Sequence, residues 1–151
     1  LKAIYIDLMQ RAMYEVGVLW QSNQISVANE HLASATTEAL LALLYPKLFS
    51  QVHKDRRAVI ACVPRELHQI GPRMVADFFE LHGWHGFALG ANTPIDDAVS
   101  REFPALTLML GGQAFRGDGA GRQAREELMQ RHPQLRYFET LDELEAFLTL
   151  A

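Results

Sequence analysis

The sequence predicts an α/β protein in which a helical region precedes a doubly wound parallel sheet. Residues 2–45 carry apolar positions at helical spacing. From Arg57 onward, short apolar runs alternate with helical patterns, an order typical of parallel sheets with helices on both faces. The first three apolar runs are followed closely by proline, asparagine or glycine, as expected where a strand gives way to a loop.

The helical region is predicted to contain two helices. In the first, the apolar positions are Ile4, Leu8, Ala12, Val16 and Leu19. A polar stretch, Gln21–Gln24, interrupts the pattern, and Ser26 is the predicted N-cap of the second helix. That helix has its apolar positions at Val27, Ala28, His31, Leu32, Ala35, Ala39, Leu43 and Leu44. Because two amphipathic helices cannot bury both faces alone, we expect more helices or another domain to cover them.

The remainder of the chain predicts alternating strands and helices. The predicted strands are Ala58–Val63, Phe87–Gly90, Leu106–Leu110 and Leu135–Phe138, and the predicted helices are Gly71–Leu81, Arg122–Gln130 and Leu141–Leu150. The resulting domain prediction is a helical region at 1–46, a linker at 47–56 and an α/β domain at 57–151. In parallel sheets of this kind, ligands bind beyond the carboxyl ends of the strands.

Composition excludes several classes of function. The net charge is −4 and the basic residues are scattered, so we expect no direct binding of nucleic acid. A single cysteine, Cys62, excludes an internal disulfide framework and favours the cytoplasm. The longest apolar run, Ala39–Tyr45, is too short to span a bilayer, and no secretion signal is evident. Since the chain begins at Leu1 within a helical pattern, we expect a fragment of a longer protein.

The loop after the first strand carries a candidate metal ligand. In the run Glu66–Gly71, a neutral His68 is a suitable axial ligand, and a carboxylate two residues earlier can hold its other ring nitrogen. Gly71 lets a ligand approach the backbone closely. The alternative is a helix-capping loop with an incidental surface histidine, and short motifs carry a high risk of false positives.

Two further groups of residues are candidates for a binding site. Gly111 and Gly112 follow a buried strand and permit a ligand group to lie against the backbone, although a tight turn is the simpler alternative. Trp20 ends the first helix, and Glu30 with His31 begins the second. A histidine on an apolar helix face is usually a core residue, but its acidic neighbour and the tryptophan favour a polar–aromatic pocket.

Other candidates are weaker. His82 and His85 provide only two metal ligands, which do not close a site. The glycines at 117, 119 and 121 lack the spacing of a dinucleotide-binding loop, and Cys62 is expected to be buried and inert. Because no nucleophile–base set is evident, we expect the chain not to be an enzyme.

Taken in order, these pieces resemble the cobalamin-binding sensor domains, a family that includes CarH-type light-dependent regulators and related stand-alone sensor proteins. The resemblance covers roughly residues 4–115 and rests on several motifs in the right order. Those resembling the family's helical cap are Val16–Trp20 and Ile25–Ser34, and those resembling its Rossmann-like half are Glu66–Gly71, Gly83-Trp84, Leu89–Pro94 and Gly111–Gln113. The implied fold is a helical cap, part of a four-helix bundle, on a Rossmann/flavodoxin-like parallel sheet.

The resemblance implies a role for each group of residues. His68 would displace the dimethylbenzimidazole base and become the lower axial ligand of cobalt. The cap would cover the upper face of adenosylcobalamin, and the displaced nucleotide tail would pass the two glycines. The cofactor-binding residues implied in this way are Trp20, Glu30, His31, Glu66, His68, Gln69, Gly71, Asn92, Thr93, Gly111, Gly112 and Gln113.

The sequence departs from the family pattern in four respects. The first motif has Glu66 where aspartate is more frequent, and Gln21 follows the tryptophan where CarH-type proteins have a histidine. An identical photoproduct with two histidine ligands is therefore not expected, unless His31 substitutes. Only the last two cap helices are present. The interval between Pro94 and Leu106 is too short for the family's helix, strand and helix, so we expect a stretch to be missing there rather than a trimmed fold.

The resulting prediction is a light- or ligand-responsive regulatory domain that binds adenosylcobalamin and acts through self-association, an output domain or a regulator protein. One alternative is the corrinoid-carrying subunit of a methyltransferase, which usually lacks the pattern formed by Trp20, Glu30 and His31. A second is a haem-binding sensor, because His68 can also ligate haem iron. A third is an interaction module that has lost its ligand.

Overall fold

The computed structural model describes residues 1–50, 52–93, 107–112, 115–116 and 119–150. Contacts divide the chain into two compact units, Leu1–Thr93 and Pro94–Ala151. The helical region therefore shares a unit with the first strand–helix–strand segment. The functional domains at 1–46, 47–56 and 57–151 remain a prediction.

Two helices that pack on each other form the beginning of the first unit. A π-helical stretch, Ile4–Gln10, leads directly into α1 (Arg11–Gln21). Helix α2 (Val27–Leu44) continues as a 3-10 helix, Tyr45–Ser50. The predicted cap is confirmed, because the Ser26 hydroxyl accepts a hydrogen bond from the Asn29 backbone at 3.3 Å and the Asn29 side chain accepts one from the Ser26 backbone at 3.2 Å.

The buried face of the first helical segment differs from the predicted stripe. Ile4 and Leu8 are exposed, whereas Tyr5 and Met9 are buried. A π-helix bonds residue i to i+5 rather than i+4. Positions assigned by α-helical spacing are therefore wrong over this stretch.

The predicted apolar stripe of α2 is also largely exposed. Leu32 and Leu43 are 67% and 72% exposed, and the buried residues of α2 are Thr37 and Leu41. His31, predicted on the stripe, has a side chain that is 74% exposed. Helix α2 is apolar on more than one face, so periodicity alone did not identify the face that α1 covers.

The core of the first unit joins the helical region to the α/β segment. It is formed by Tyr5, Met9, Leu41, Leu48 and Met74. Leu48 lies within the predicted linker and is fully buried. The helical region therefore packs directly against the helix that carries Met74.

The α/β segment of the first unit contains strands β1 (Arg57–Ala61) and β2 (His85–Gly90), with helix α3 (Ile70–Leu81) between them in the chain. The strands are parallel, with Val59 opposite Phe87. Gly86 permits close packing of β2 on α3, because a Cβ atom there would overlap the carbonyl oxygen of Ala76. The loops that follow β1 and β2 thus leave the same edge of the sheet.

The second unit repeats this arrangement. Strand β3 (Met109–Gly111) is parallel to β4 (Arg136–Phe138), and helix α4 (Ala120–Arg131) lies between them in the chain. Helix α5 (Leu141–Leu150) has the predicted bounds. The predicted third strand began at Leu106, which lies outside the described residues.

The predicted α/β class is confirmed. A helical region is followed by two pairs of parallel strands, each with an intervening helix, the unit from which doubly wound sheets are built. In the ranges that the structure describes, no helix has the length and apolarity needed to cross a membrane.

Candidate functional site

Backbone hydrogen bonds join the loops that follow β1 and β2. Arg65 and Asn92 both have positive φ angles, 72° and 50°. The Asn92 side chain accepts a hydrogen bond from the Arg65 backbone at 2.8 Å, and the Asn92 backbone donates to the carbonyl of Glu66 at 2.9 Å. Thr93 donates to the carbonyl of Cys62 at 3.1 Å. A left-handed conformation is unfavourable for a residue such as Arg65, so these bonds stabilise a strained loop.

This loop presents His68 with a fixed tautomer. Glu66 Oε1 lies 2.5 Å from His68 Nδ1 and also accepts the backbone N–H of His68 at 2.9 Å. A carboxylate that accepts a hydrogen bond from Nδ1 places the proton on that atom and leaves the lone pair on Nε2. The His68 side chain is 89% exposed. The predicted pairing of Glu66 with His68 is therefore present, with Nε2 accessible as a metal ligand.

Glu66 is ionised in this arrangement. Partial burial alone would raise the pKa of its carboxyl, but the backbone and ring N–H groups of His68 outweigh burial and lower that pKa. The carboxylate therefore keeps its charge well below neutral pH.

Trp20, Glu30 and His31 occupy the adjoining ends of α1 and α2. Trp20 is 45% exposed. Glu30 Oε2 lies 2.6 Å from His31 Nδ1, and Glu30 Oε1 accepts the Ser34 hydroxyl at 2.7 Å. The hydrogen bonds from Ser34 and His31 hold the pKa of Glu30 below its ordinary value. Glu30 thus orients His31 much as Glu66 orients His68.

A hydrogen bond shows that α2 faces the loop that carries His68. Gln69, the residue after His68, donates from Nε2 to Glu38 Oε1 on α2 at 3.1 Å. The structure therefore brings the helical and loop candidates to one side of the first unit.

A pocket of about 300 Å³ opens where α2 approaches the start of α3 and the end of β2. Its volume is at the lower end of the range for small-molecule sites. The lining residues are Glu38, Leu41, Gln69, Ile70, Arg73, Ala88 and Gly90. Of the predicted site residues that the structure describes, only Gln69 lines this pocket.

The glycines of the candidate site leave room beside the backbone. A Cβ atom at Gly71 or Gly90 would meet no atom within 4 Å. Gly71 also lacks a positive φ angle, so neither packing nor backbone conformation within the described residues requires glycine there. Open space beside a glycine is consistent with the close approach of a ligand.

Gly111 and Gly112 belong to the second unit. Gly112 has a φ angle of 104°, and a Cβ atom on Gly111 would come within 3.0 Å of the Phe138 carbonyl oxygen. The positive φ angle of Gly112 and the close packing of Gly111 on β4 favour glycine at both positions, and their role in binding stays a prediction. Gln113 lies outside the described residues, as does Ile95–Ala105, the short interval noted above.

The weaker candidates have structural roles. His82 Nδ1 lies 2.8 Å from the Phe78 carbonyl oxygen, and His85 stacks on His53 with ring centroids 4.4 Å apart. Cys62 is buried, and burial raises the pKa of its thiol. Within the described parts of the chain, no group of three or more histidine, cysteine or acidic residues is arranged to hold a metal ion.

Sequence reasoning did not identify Ser34, Glu38 and Arg65. Ser34 and Glu38 follow Glu30 at positions i+4 and i+8. Helical spacing therefore places them on the same face as Glu30 and could have revealed them. Arg65 gave no such signal, because a positive φ angle at arginine is imposed by tertiary contacts.

Comparison with known proteins connects this geometry with a cofactor. Residues 1–45 match the family model described as a B12 binding domain. The matched residues include α1 and α2 with Trp20, Glu30 and His31, but not the loop that carries His68. The HTH-type transcriptional repressor CarH of Myxococcus xanthus is 32% identical over 92 residues, which are 60% of this chain and 30% of the repressor.

The resemblance to cobalamin-binding sensor domains is confirmed. This chain spans about 30% of the length of the repressor that it matches. Neither comparison supports the haem alternative. The roles of the individual residues remain predictions.

Proposed function

We propose that the chain binds adenosylcobalamin with the dimethylbenzimidazole base displaced, and that His68 provides the lower axial ligand. In this proposal the domain is regulatory rather than enzymatic. It responds to light, or to the ligand itself, and transmits the response to a separate output region.

One observation carries the proposal: Glu66 holds Nδ1 of His68 at 2.5 Å on a side chain that is 89% exposed. Most surface histidines rotate freely, whereas this ring is fixed by a carboxylate that also binds its backbone N–H. A carboxylate that accepts a hydrogen bond from the other ring nitrogen is the usual support for a metal-binding histidine. The incidental-histidine alternative gives no reason for this pairing.

The residues present fit a corrinoid. Nε2 of His68 is a suitable nitrogen donor for cobalt. A Cβ atom at Gly71 or Gly90 would meet no atom within 4 Å, so a ligand group can approach the backbone there. When bound, adenosylcobalamin supplies a cobalt–carbon bond that visible light can cleave.

The helical residues would report the state of the upper ligand. Trp20 offers an aromatic surface, and the carboxylate of Glu30 orients the His31 ring. The first unit carries these residues and His68 together. A ligand contacting both α2 and the loop favours the conformation in which they are close, and loss of that contact shifts the population toward others.

The output would be regulation of transcription by another part of the protein or by a partner. This inference rests on the similarity to a repressor of the HTH type. The net charge of −4 and the absence of a basic cluster of the kind that binds DNA favour a separate DNA-binding element.

The test is reconstitution with adenosylcobalamin in the dark, followed by absorption spectra and size-exclusion chromatography before and after green light. We expect a spectrum of the base-off, histidine-ligated type that changes on illumination, together with a change in elution volume. Cobalamin binding without any protein-specific light response would contradict light sensing and favour a corrinoid carrier or a ligand sensor. Absence of cobalamin binding, with a Soret band on addition of haemin, would overturn the proposal in favour of haem.

A further inference from the structure

The pocket beside Glu38 combines two kinds of polar group. Glu38 on α2 offers a carboxylate, and Arg73 on α3 offers a guanidinium group to the same pocket. Arg73 Nε lies 3.2 Å from Asp77 Oδ1, and its guanidinium group lies over the Tyr45 ring at 5.0 Å. Arg73 is thus already paired with Asp77, whereas Glu38 accepts a hydrogen bond from the uncharged side chain of Gln69.

A group of the protein itself shows which chemistry this carboxylate accepts. Gln69 is a primary carboxamide, and its Nε2 donates to Glu38 Oε1 at 3.1 Å. Both side chains belong to exposed residues, so a ligand can replace this contact at little cost. The second carboxylate oxygen of Glu38 remains available as an acceptor.

The periphery of a corrin ring carries acetamide and propionamide groups, which have the same functional group as Gln69. An uncharged amide that donates to a carboxylate forms a charge-assisted hydrogen bond. A carboxylate at the same position of the ligand has no proton to donate and is repelled by Glu38 at neutral pH.

We propose that Glu38 is a specificity-determining residue that accepts a hydrogen bond from a corrin amide and disfavours corrinoids, or haem, with a carboxylate at that position. This inference rests on the proposed function, because it concerns how the same site selects its ligand. Ser34 and Glu30, on the same face of α2, continue this polar surface toward His31.

The test compares binding of cobalamin with binding of its b-, d- and e-monocarboxylic acid derivatives, in each of which one propionamide is replaced by a carboxylate. Dissociation constants are measured in the dark by absorption titration for the unchanged protein, Glu38→Gln and Glu15→Gln. Glu15 is an exposed carboxylate on α1 outside the pocket, so its substitution is the matched control for loss of one charge.

We expect the unchanged protein and Glu15→Gln to bind at least one derivative about tenfold more weakly than cobalamin, as befits loss of a charge-assisted hydrogen bond. In Glu38→Gln this ratio should approach one, while affinity for cobalamin itself changes by about threefold or less, because glutamine keeps an acceptor oxygen. Equal affinities for all derivatives, or a ratio that persists in Glu38→Gln, would overturn the inference. Failure of the unchanged protein to bind cobalamin would overturn the proposed function, and this inference with it.

Discussion

Removal of the Tyr5 hydroxyl should destabilise the first unit. Tyr5 and Asp77 are each 1% exposed, and the hydroxyl donates to Asp77 Oδ2 at 2.9 Å. Burial raises the pKa of Tyr5, so the group remains a donor throughout the range in which the protein is handled. Tyr5→Phe preserves the buried ring and removes only this hydrogen bond between the helical region and α3.

The size of the effect follows from the charge of the acceptor. A hydrogen bond to an ionised group contributes about 1.5–3 kcal/mol. Asp77 keeps its second donor, Arg73 Nε at 3.2 Å, so we expect a decrease of about 2 kcal/mol in the free energy of unfolding of Tyr5→Phe. For a chain of this length that corresponds to a decrease in Tm of about 4–8 °C.

The effect should also depend on pH. Burial raises the pKa of Asp77 above its ordinary value, although Tyr5 and Arg73 oppose the increase. A carboxyl with a raised pKa in the folded state favours folding when protonated, and that contribution is lost as pH rises through the folded pKa. Since a neutral carboxyl is the weaker acceptor, the difference between Tyr5→Phe and the unchanged protein should shrink as pH falls.

Urea denaturation at neutral and mildly acidic pH measures both effects. Tyr14→Phe is the matched control, because the Tyr14 hydroxyl is a partly exposed acceptor of a 3.4 Å hydrogen bond from Gln10. Its expected change is below about 0.5 kcal/mol. The reasoning is refuted by equal stabilities of the two variants, or by a difference that does not decrease with acidity.

Three further predictions concern the ligand and the packing. Glu66→Ala should weaken cobalamin binding about 10- to 100-fold in absorption titrations, and Glu66→Gln less, because its amide oxygen can still accept the His68 backbone N–H; equal losses would contradict the orienting role. Trp20→Ala should spare binding but bring the affinities for adenosyl- and methylcobalamin closer together in competition titrations, and an unchanged ratio would argue against an adenosyl pocket. Gly86→Ala should lower the free energy of unfolding by about 1–3 kcal/mol, because the new Cβ atom would overlap the Ala76 backbone. Gly17→Ala, at a helical position with open space beside it, should raise it by about 0.5–1 kcal/mol. Thermal melts in which the two variants have the same Tm would contradict the packing described for β2.

Local signals made much of the fold predictable. Ser26 was recognisable as an N-cap because its side chain competes for backbone hydrogen bonds, and α2 begins at the next residue. The parallel strands were recognisable because each of the first two is an almost continuous apolar run, as strands buried on both faces are. The expected burial is not seen, since Val59, Phe87 and Leu89 are 47–54% exposed. Glu66 and His68 were recognisable as a pair because a spacing of two residues lets one carboxylate reach both the ring and the backbone N–H.

Features set by tertiary contacts were not predictable in this way. In the π-helical stretch, Tyr5 and Met9 are buried instead of the predicted Ile4 and Leu8. The segment around Leu48 was assigned to a linker because it has no periodic apolar pattern, although Leu48 is fully buried. The burial of these residues depends on which helices and strands pack together, and a single sequence does not reveal that packing.

The axial ligand is the most direct test of the central claim. The protein is labelled with ¹⁵N-histidine, loaded with unlabelled cobalamin, reduced to the cobalt(II) state and studied by electron paramagnetic resonance. The account predicts that each cobalt hyperfine line is split into a doublet by ¹⁵N, and that the doublet is absent in His68→Ala. A triplet in the labelled, unchanged protein would show that the dimethylbenzimidazole nitrogen still binds cobalt, and a doublet that persists in His68→Ala would assign the ligand to another histidine; either result would contradict the account.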